Sequence, residues 1–167
     1  MRLELSFIRM TKVAKVLLLL ICLTVSLSWA EEKKAIKPSS KDKCPVCGMF
    51  VAKYSDFLAA VAFKDGACVF FDGSKDMFKY YFNFKKYEPA RKQSDIEAVY
   101  VTDYYDLKLV NGLEAFYVTG SDVHGPMGRE LIPFAREEGA KEFAKDHKGK
   151  PAVKFREVTP ALVKTLD

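Results

Sequence analysis

A second C-x-x-C pair is missing from this sequence. The single copy, Cys44-Pro45-Val46-Cys47, has no partner of its own kind to close the four-ligand site that structural zinc prefers. Gly-rich loops of the Walker or dinucleotide type are also missing, which removes the usual phosphate cradle. No nucleophile stands in a motif with a base and an orienting group. Ser121, Asp122 and His124 are near neighbours, but their spacing assembles no triad. Basic residues are not gathered into a patch. The chain has 27 Lys and Arg against 22 Asp and Glu, a net charge of +5. Lys41, Lys43, Lys85, Lys86, Arg91 and Lys92 read as solvated surface, so a nucleic-acid partner is not expected.

The longest apolar run falls short of a membrane span. It covers residues 16–29, whereas about 20 apolar residues cross a bilayer as a helix. Arg2, Arg9, Lys12 and Lys15 come before it and Ser28-Trp29-Ala30 closes it, with small residues where a signal peptidase reads. Residues 1–30 are therefore expected to be a cleaved signal peptide that exports the chain to the periplasm, with Met10 as an equally workable start. Cys22 lies in the apolar run behind Ile21, which is too large for a lipoprotein box, so no lipid anchor is expected there. Removal of four basic residues and one acidic residue lowers the net charge from +5 to +2. Cys44, Cys47 and Cys68 remain, an odd number that leaves at least one thiol unpaired within the chain, so a pure disulfide scaffold is not expected. Free thiols in an oxidising compartment need a reason to stay free, and a bound soft metal is one.

Residues 31–43 are charged, contain Pro38-Ser39-Ser40 and have no apolar period, and read as a flexible tether. Beyond it the pattern is that of an α+β protein. Strands are expected over 58–63 and 67–71 around an Asp65-Gly66 hairpin. Asp72-Gly73-Ser74 then opens a helix whose Met77, Phe78, Tyr80, Tyr81 and Phe82 form a core face. A polar connection follows over 85–94. Further strands are expected over 96–102, 107–110, 115–119, 130–134 and 153–158. A Gly-rich loop spans 120–128, a helix 135–146, and Thr159-Pro160 opens a terminal helix. Each half thus reads as strand, turn, strand, helix, a loose duplication that defines a first module over 44–93 and a second over 94–167. Packed face to face, the two would bring the thiol turn of one to the Met turn of the other.

The turn Cys44-Pro45-Val46-Cys47-Gly48-Met49 suits three chemistries. It is half of a zinc site, a redox dithiol, or a soft-metal site. A redox dithiol of the thioredoxin kind opens a helix after a buried strand, and here a tether precedes it. Cu(I) accepts thiolates and thioethers at low coordination number, and Cys44, Cys47, Met49 and Met127 are suited to it. Met127 lies in His124-Gly125-Pro126-Met127-Gly128, a polar loop with little core to fill, and His124 is within reach as a further ligand. Cys68, among Val69, Phe70 and Phe71, reads as core. His147, at a helix C-terminus, reads as a complement to the helix dipole.

Cys44 to Met49 with Phe50-Val51-Ala52, then Tyr100-Val101-Thr102-Asp103-Tyr104, Gly120-Ser121, Gly125-Pro126-Met127-Gly128 and Ile132-Pro133-Phe134, in that order, resembles the NosL family from about residue 43 to 147. The CPVCGM turn alone is shared with YHS-type metal-binding domains. Those carry further cysteines at the start of the next helix, where this chain has Asp72 and Asp76. The resemblance implies a pair of ββαβ modules, similar to part of organomercurial lyase. It implies a periplasmic Cu(I)-binding metallochaperone, not an enzyme, that serves maturation of nitrous oxide reductase through a membrane-bound assembly transporter. The ligands it implies are Cys47 of the thiol turn and Met127, and copper would move by ligand exchange. Two other functions stay open: an exported thiol–disulfide oxidoreductase or organomercurial-lyase-like thiol enzyme, and a small structural zinc domain.

Overall fold

The computed structural model of the chain describes residues 36–167. The expected signal peptide, Cys22 and the first residues of the expected tether lie outside the described residues. The architecture is α+β, as the pattern of strands and helices implied. Three antiparallel sheets are present among the described residues.

The largest sheet has the order β2-β1-β3-β4, with β1 at Ala59–Phe63, β2 at Cys68–Phe71, β3 at Ile96–Thr102 and β4 at Leu109–Asn111. β1 reads Ala-Ala-Val-Ala-Phe, and Ala59, Ala60 and Val61 are fully buried. Burial of consecutive strand residues means that both strand faces are covered, as befits an inner strand. β2 returns along β1 with Ala59 opposite Phe71. β3 adds to the other edge with Ala59 opposite Val101. The expected module boundary between 93 and 94 therefore runs through one sheet. Long-range pairing of β3 with β1 overrides the local duplication pattern, because β1 has a free edge that only a later strand fills.

α1 spans Ser74–Phe82 and α2 spans Phe84–Tyr87, inside the stretch expected to be a polar connection. The aromatic face of α1 is core, as expected. Phe78 packs edge-on against Tyr117 with ring centres 5.1 Å apart and lies 4.8 Å from Phe155. Tyr80 sits edge-on to Phe71 at 5.1 Å. Each fully buried ring of this kind contributes about 1.5–3 kcal/mol.

β5 (Phe116–Val118) lies between β8 (Ile132–Phe134) and β9 (Val153–Lys154) in the second sheet. Successive strand residues face opposite ways, and β5 uses this to serve two cores. Tyr117 enters the large core under α1, while Phe116 and Val118 pack in a smaller one with Ile132, Phe134 and Phe143. α3 (Glu137–Asp146) covers that smaller core. It starts two residues later than expected, because the Asp103 carboxylate holds the Ala135 amide at 2.7 Å. The strand expected over 153–158 stops at Lys154. Glu157 folds back to accept the Lys154 amide, and Phe155–Glu157 is a 3-10 turn. α4 (Pro160–Lys164) is capped by Thr159, whose hydroxyl accepts the Leu162 amide.

Two short strands, β6 (His124–Gly125) and β7 (Gly128–Arg129), pair only with each other and turn the expected loop into a hairpin with Pro126 and Met127 at its tip. Part of the expected tether is also folded. Asp42 accepts the Ser39 and Val51 amides, and Lys43 bridges to Phe50.

Candidate metal centre

The Lys43–Phe50 bridge closes the base of the thiol turn. Inside it, the Cys44 amide donates to the Met49 carbonyl at 2.9 Å, and the Gly48 amide donates to the Cys44 carbonyl at 2.8 Å. Gly48 has φ +79°, a left-handed conformation that side-chain-bearing residues resist. This tight closure carries both sulfurs to one place. Cys44 is 1% exposed and Cys47 is half-buried, and both are free thiols.

The other wall of the site comes from the start of α1. Asp72 ends the approach from β2 and Asp76 sits in the first helical turn. Both are buried, and a carboxylate near a helix N-terminus is favoured by the exposed amides there. The Cys44 thiol donates to Asp76 Oδ2 at 3.4 Å, and the Cys47 thiol donates to Asp72 Oδ1 at 3.1 Å. One ligand atom from each of the four residues lies within 4.8 Å of the others. Lys79 stands 3.9 Å from Asp76 and also pairs with Asp167.

This setting holds protons on sulfur. Burial pushes the Cys47 thiol up to about 12, and the facing Asp72 and Asp76 carboxylates add to the shift. Cys44 is pushed further in the same direction, again by burial first and then by the carboxylates. Thiol catalysts work by the opposite device, a thiolate stabilised by a nearby cation or helix terminus. Burial and the facing carboxylates favour the thiol over the thiolate at both sulfurs.

Two sulfurs this close are soft donors of the type Cu(I) accepts, and each stands at hydrogen-bond distance from a carboxylate. All four groups together also form a mixed sulfur and oxygen set of the kind a borderline divalent ion accepts.

The structure deals differently with the other expected ligands. Met49 is half-buried, and its carbonyl closes the thiol turn. Met127 is 45% exposed, so it fills no core. Its carbonyl accepts a 2.8 Å bond from Nζ of Lys75, the residue before Asp76, which pins the hairpin tip to the first turn of α1. His124 is not part of the four-residue cluster. Its ring is exposed, with Nδ1 3.1 Å from the Asp122 carbonyl. His147 pairs with Asp122 at 3.0 Å and stacks on Phe143. Asp72 and Asp76 are the members that sequence reasoning passed over. The available signal was their position, at the helix opening where the YHS-type pattern places cysteines.

A pair of thiols against a pair of buried carboxylates, in a small α+β scaffold with its own aromatic core, is the donor arrangement of a metal-binding domain. The NosL family model matches residues 35–163, and this chain belongs to the NosL family. It is 27% identical over 161 residues to the copper-binding lipoprotein NosL of Stutzerimonas stutzeri, covering 87% of this chain and 80% of that protein. Its structure is similar to the crystal structure of the copper chaperone NosL from Shewanella denitrificans, with a TM-score of 0.62 at 25% identity, over 77% of this chain and 98% of that one. The solution structure of the apo-NosL protein from Achromobacter cycloclastes matches at 26% identity and a TM-score of 0.45, over 63% of this chain and 87% of that one.

Proposed function

We propose that this protein is an exported copper chaperone that carries Cu(I) between its thiol turn and its Met hairpin and delivers it for maturation of nitrous oxide reductase. The observation that carries this reading is the paired thiol–carboxylate cluster of Cys44, Cys47, Asp72 and Asp76 in a chain of the NosL family. Cys47 is the central ligand, since it is the more accessible of the two sulfurs. Cys44, Met127 and Met49 are the further sulfur donors, and His124 is the remaining nitrogen donor. As copper enters, the protons on the sulfurs are displaced to solvent. As copper leaves, the sulfurs are protonated again and donate to Asp76 and Asp72. Delivery needs no bond chemistry beyond ligand exchange. The acceptor in this reading is the reductase or its membrane-bound assembly transporter. The site of action is the periplasm, beside the membrane. Among the described residues no helix is long and apolar enough to cross a membrane.

A second reading is favoured by the two carboxylates: a four-ligand divalent site such as zinc. The two readings differ in affinity order and in the state of the apo protein. Reduced protein is titrated anaerobically with Cu(I) against a chromophoric chelator, and separately with zinc. One tight Cu(I) site, lost in Cys47→Ser, with a cooperative melt of the metal-free protein, supports the chaperone. Tighter retention of zinc, with an apo protein that fails to melt cooperatively, supports the structural site.

A further inference from the structure

We infer that Glu130 and Lys75 form a latch that positions the Met127 hairpin against the thiol–carboxylate cluster, and so set Cu(I) affinity without touching the metal. The inference rests on the reading of Met127 as a copper ligand.

The hairpin needs such a device. β6 and β7 have two residues each and form a sheet of their own, so neither larger sheet fixes their position. Two buried polar side chains do so instead. Glu130, 4% exposed, directly follows β7. Its Oε1 accepts the amide of Lys75, in the first turn of α1, and that of Leu131 at 2.8 Å. Lys75, 3% exposed, reaches the other way. Its Nζ donates to the Met127 carbonyl at 2.8 Å and to the Leu166 carbonyl at 3.2 Å. The two residues thus cross-link the same pair of segments in opposite directions.

The space around Glu130 is shaped for it. A Cβ on Gly73 would lie 2.2 Å from Glu130 Oε2, and one on Gly125 would lie 3.0 Å from it. Gly73 follows Asp72, and Gly125 is two residues before Met127. The carboxyl group is therefore seated between the backbone that presents one thiol acceptor and the backbone that presents the hairpin tip. Burying a carboxyl and an amine costs more than burying methyl groups of the same volume. A contact needed only for packing would use the cheaper groups, whereas directional bonds fix one relative placement. Burial pushes the Glu130 carboxyl up to about 8, so glutamine is its close mimic near neutral pH and keeps an oxygen for both amides.

The test is a double-mutant cycle on reduced protein, read as Cu(I) affinity against a chromophoric chelator, with the thermal melt followed in parallel. Glu130→Ala is expected to weaken Cu(I) binding about tenfold, the scale of residues that orient metal ligands from outside the coordination shell. Glu130→Gln is expected to keep wild-type affinity. In a Met127→Ala background, Glu130→Ala is expected to weaken binding no further. If Glu130→Ala fails to fold, Lys75→Leu enters the same cycle with the same expected result. Wild-type affinity in a folded latch variant whose Met127→Ala counterpart is weakened overturns the latch alone. An equal loss in both backgrounds also overturns it, since the effect then bypasses the hairpin. If Met127→Ala itself binds like wild type, Met127 is not a ligand, and the latch falls with the reading beneath it.

Discussion

Two glycine-ended turns carry the candidate ligand sulfurs of this protein, and they are placed oppositely. The thiol turn is bracketed by the Lys43–Phe50 bridge and continues into Val51, which is fully buried in the large core. Its sulfurs face Asp76 in the first turn of α1 and Asp72 just before that helix, and α1 also carries Phe78 and Tyr80 into the core. The Met hairpin leans on no sheet and leaves Met127 45% exposed. One turn is part of the fold's foundation, and the other is attached to it by two side chains. A carrier benefits from this inequality. In the proposed reading the thiols supply retention, and the exposed thioether is the donor an incoming partner ligand displaces first.

The sharpest way to break the comparison is to weaken its foundation. Phe78→Ala is expected to cost about 3–5 kcal/mol of folding stability, read as a large drop in the melting temperature of the apo protein. Met127→Ala should shift that melt by less than about 0.5 kcal/mol, as exposed positions do. Equal effects would mean that the hairpin is structural after all.

Affinity should rank the turns in the same order. Cys47→Ser is expected to weaken Cu(I) binding at least about a hundredfold, some 2.7 kcal/mol, and Met127→Ala about tenfold, some 1.4 kcal/mol. Competition against a chromophoric chelator measures both. A larger loss at Met127 than at Cys47 would invert the roles assigned here.

The thiol side also carries a proton signature that the thioether side lacks. Because burial and Asp72 hold the Cys47 thiol up near about 12, it is protonated in the apo form at neutral pH, and copper must displace that proton. Affinity should therefore rise with pH, about tenfold per unit for each thiol proton released, measured by chelator competition between about pH 6 and 8. The increment lost in Met127→Ala should be the same at every pH, since a thioether binds no proton.

The smallest expected effect sharpens the role of one carboxylate. Asp72→Asn removes a negative charge that disfavours the Cys47 thiolate, so the thiol should shift down and apo protein should alkylate faster at about pH 8. Unchanged iodoacetamide kinetics would show that burial alone controls this sulfur.

Much of the scaffold was legible because local signals and tertiary contacts agree there. Ile96–Thr102 is a strand in both readings, Asp65-Gly66 turns the first hairpin, and Thr159-Pro160 opens the last helix. The thiol turn and the Gly-Pro-Met loop were visible for a chemical reason, since few residue types bind soft metals. What escaped was long-range. Nothing near Ile96 announces that it will lie along β1 rather than found a second module. Nothing near Ala135 shows that Asp103, 32 residues earlier, holds its amide. Asp72 and Asp76 looked like ordinary helix-opening residues, because carboxylates are common there. Only the fold, which sets them against Cys47 and Cys44, turns them into part of the site.

The central claim is that copper is held jointly by the buried thiol turn and the exposed Met hairpin. X-ray absorption at the copper edge of Cu(I)-loaded protein tests it most directly. The account predicts a sulfur-dominated shell in wild type that loses one sulfur neighbour in Met127→Ala, while the cysteine sulfurs remain. An unchanged sulfur count in that variant, or a shell dominated by oxygen from Asp72 and Asp76, would contradict it.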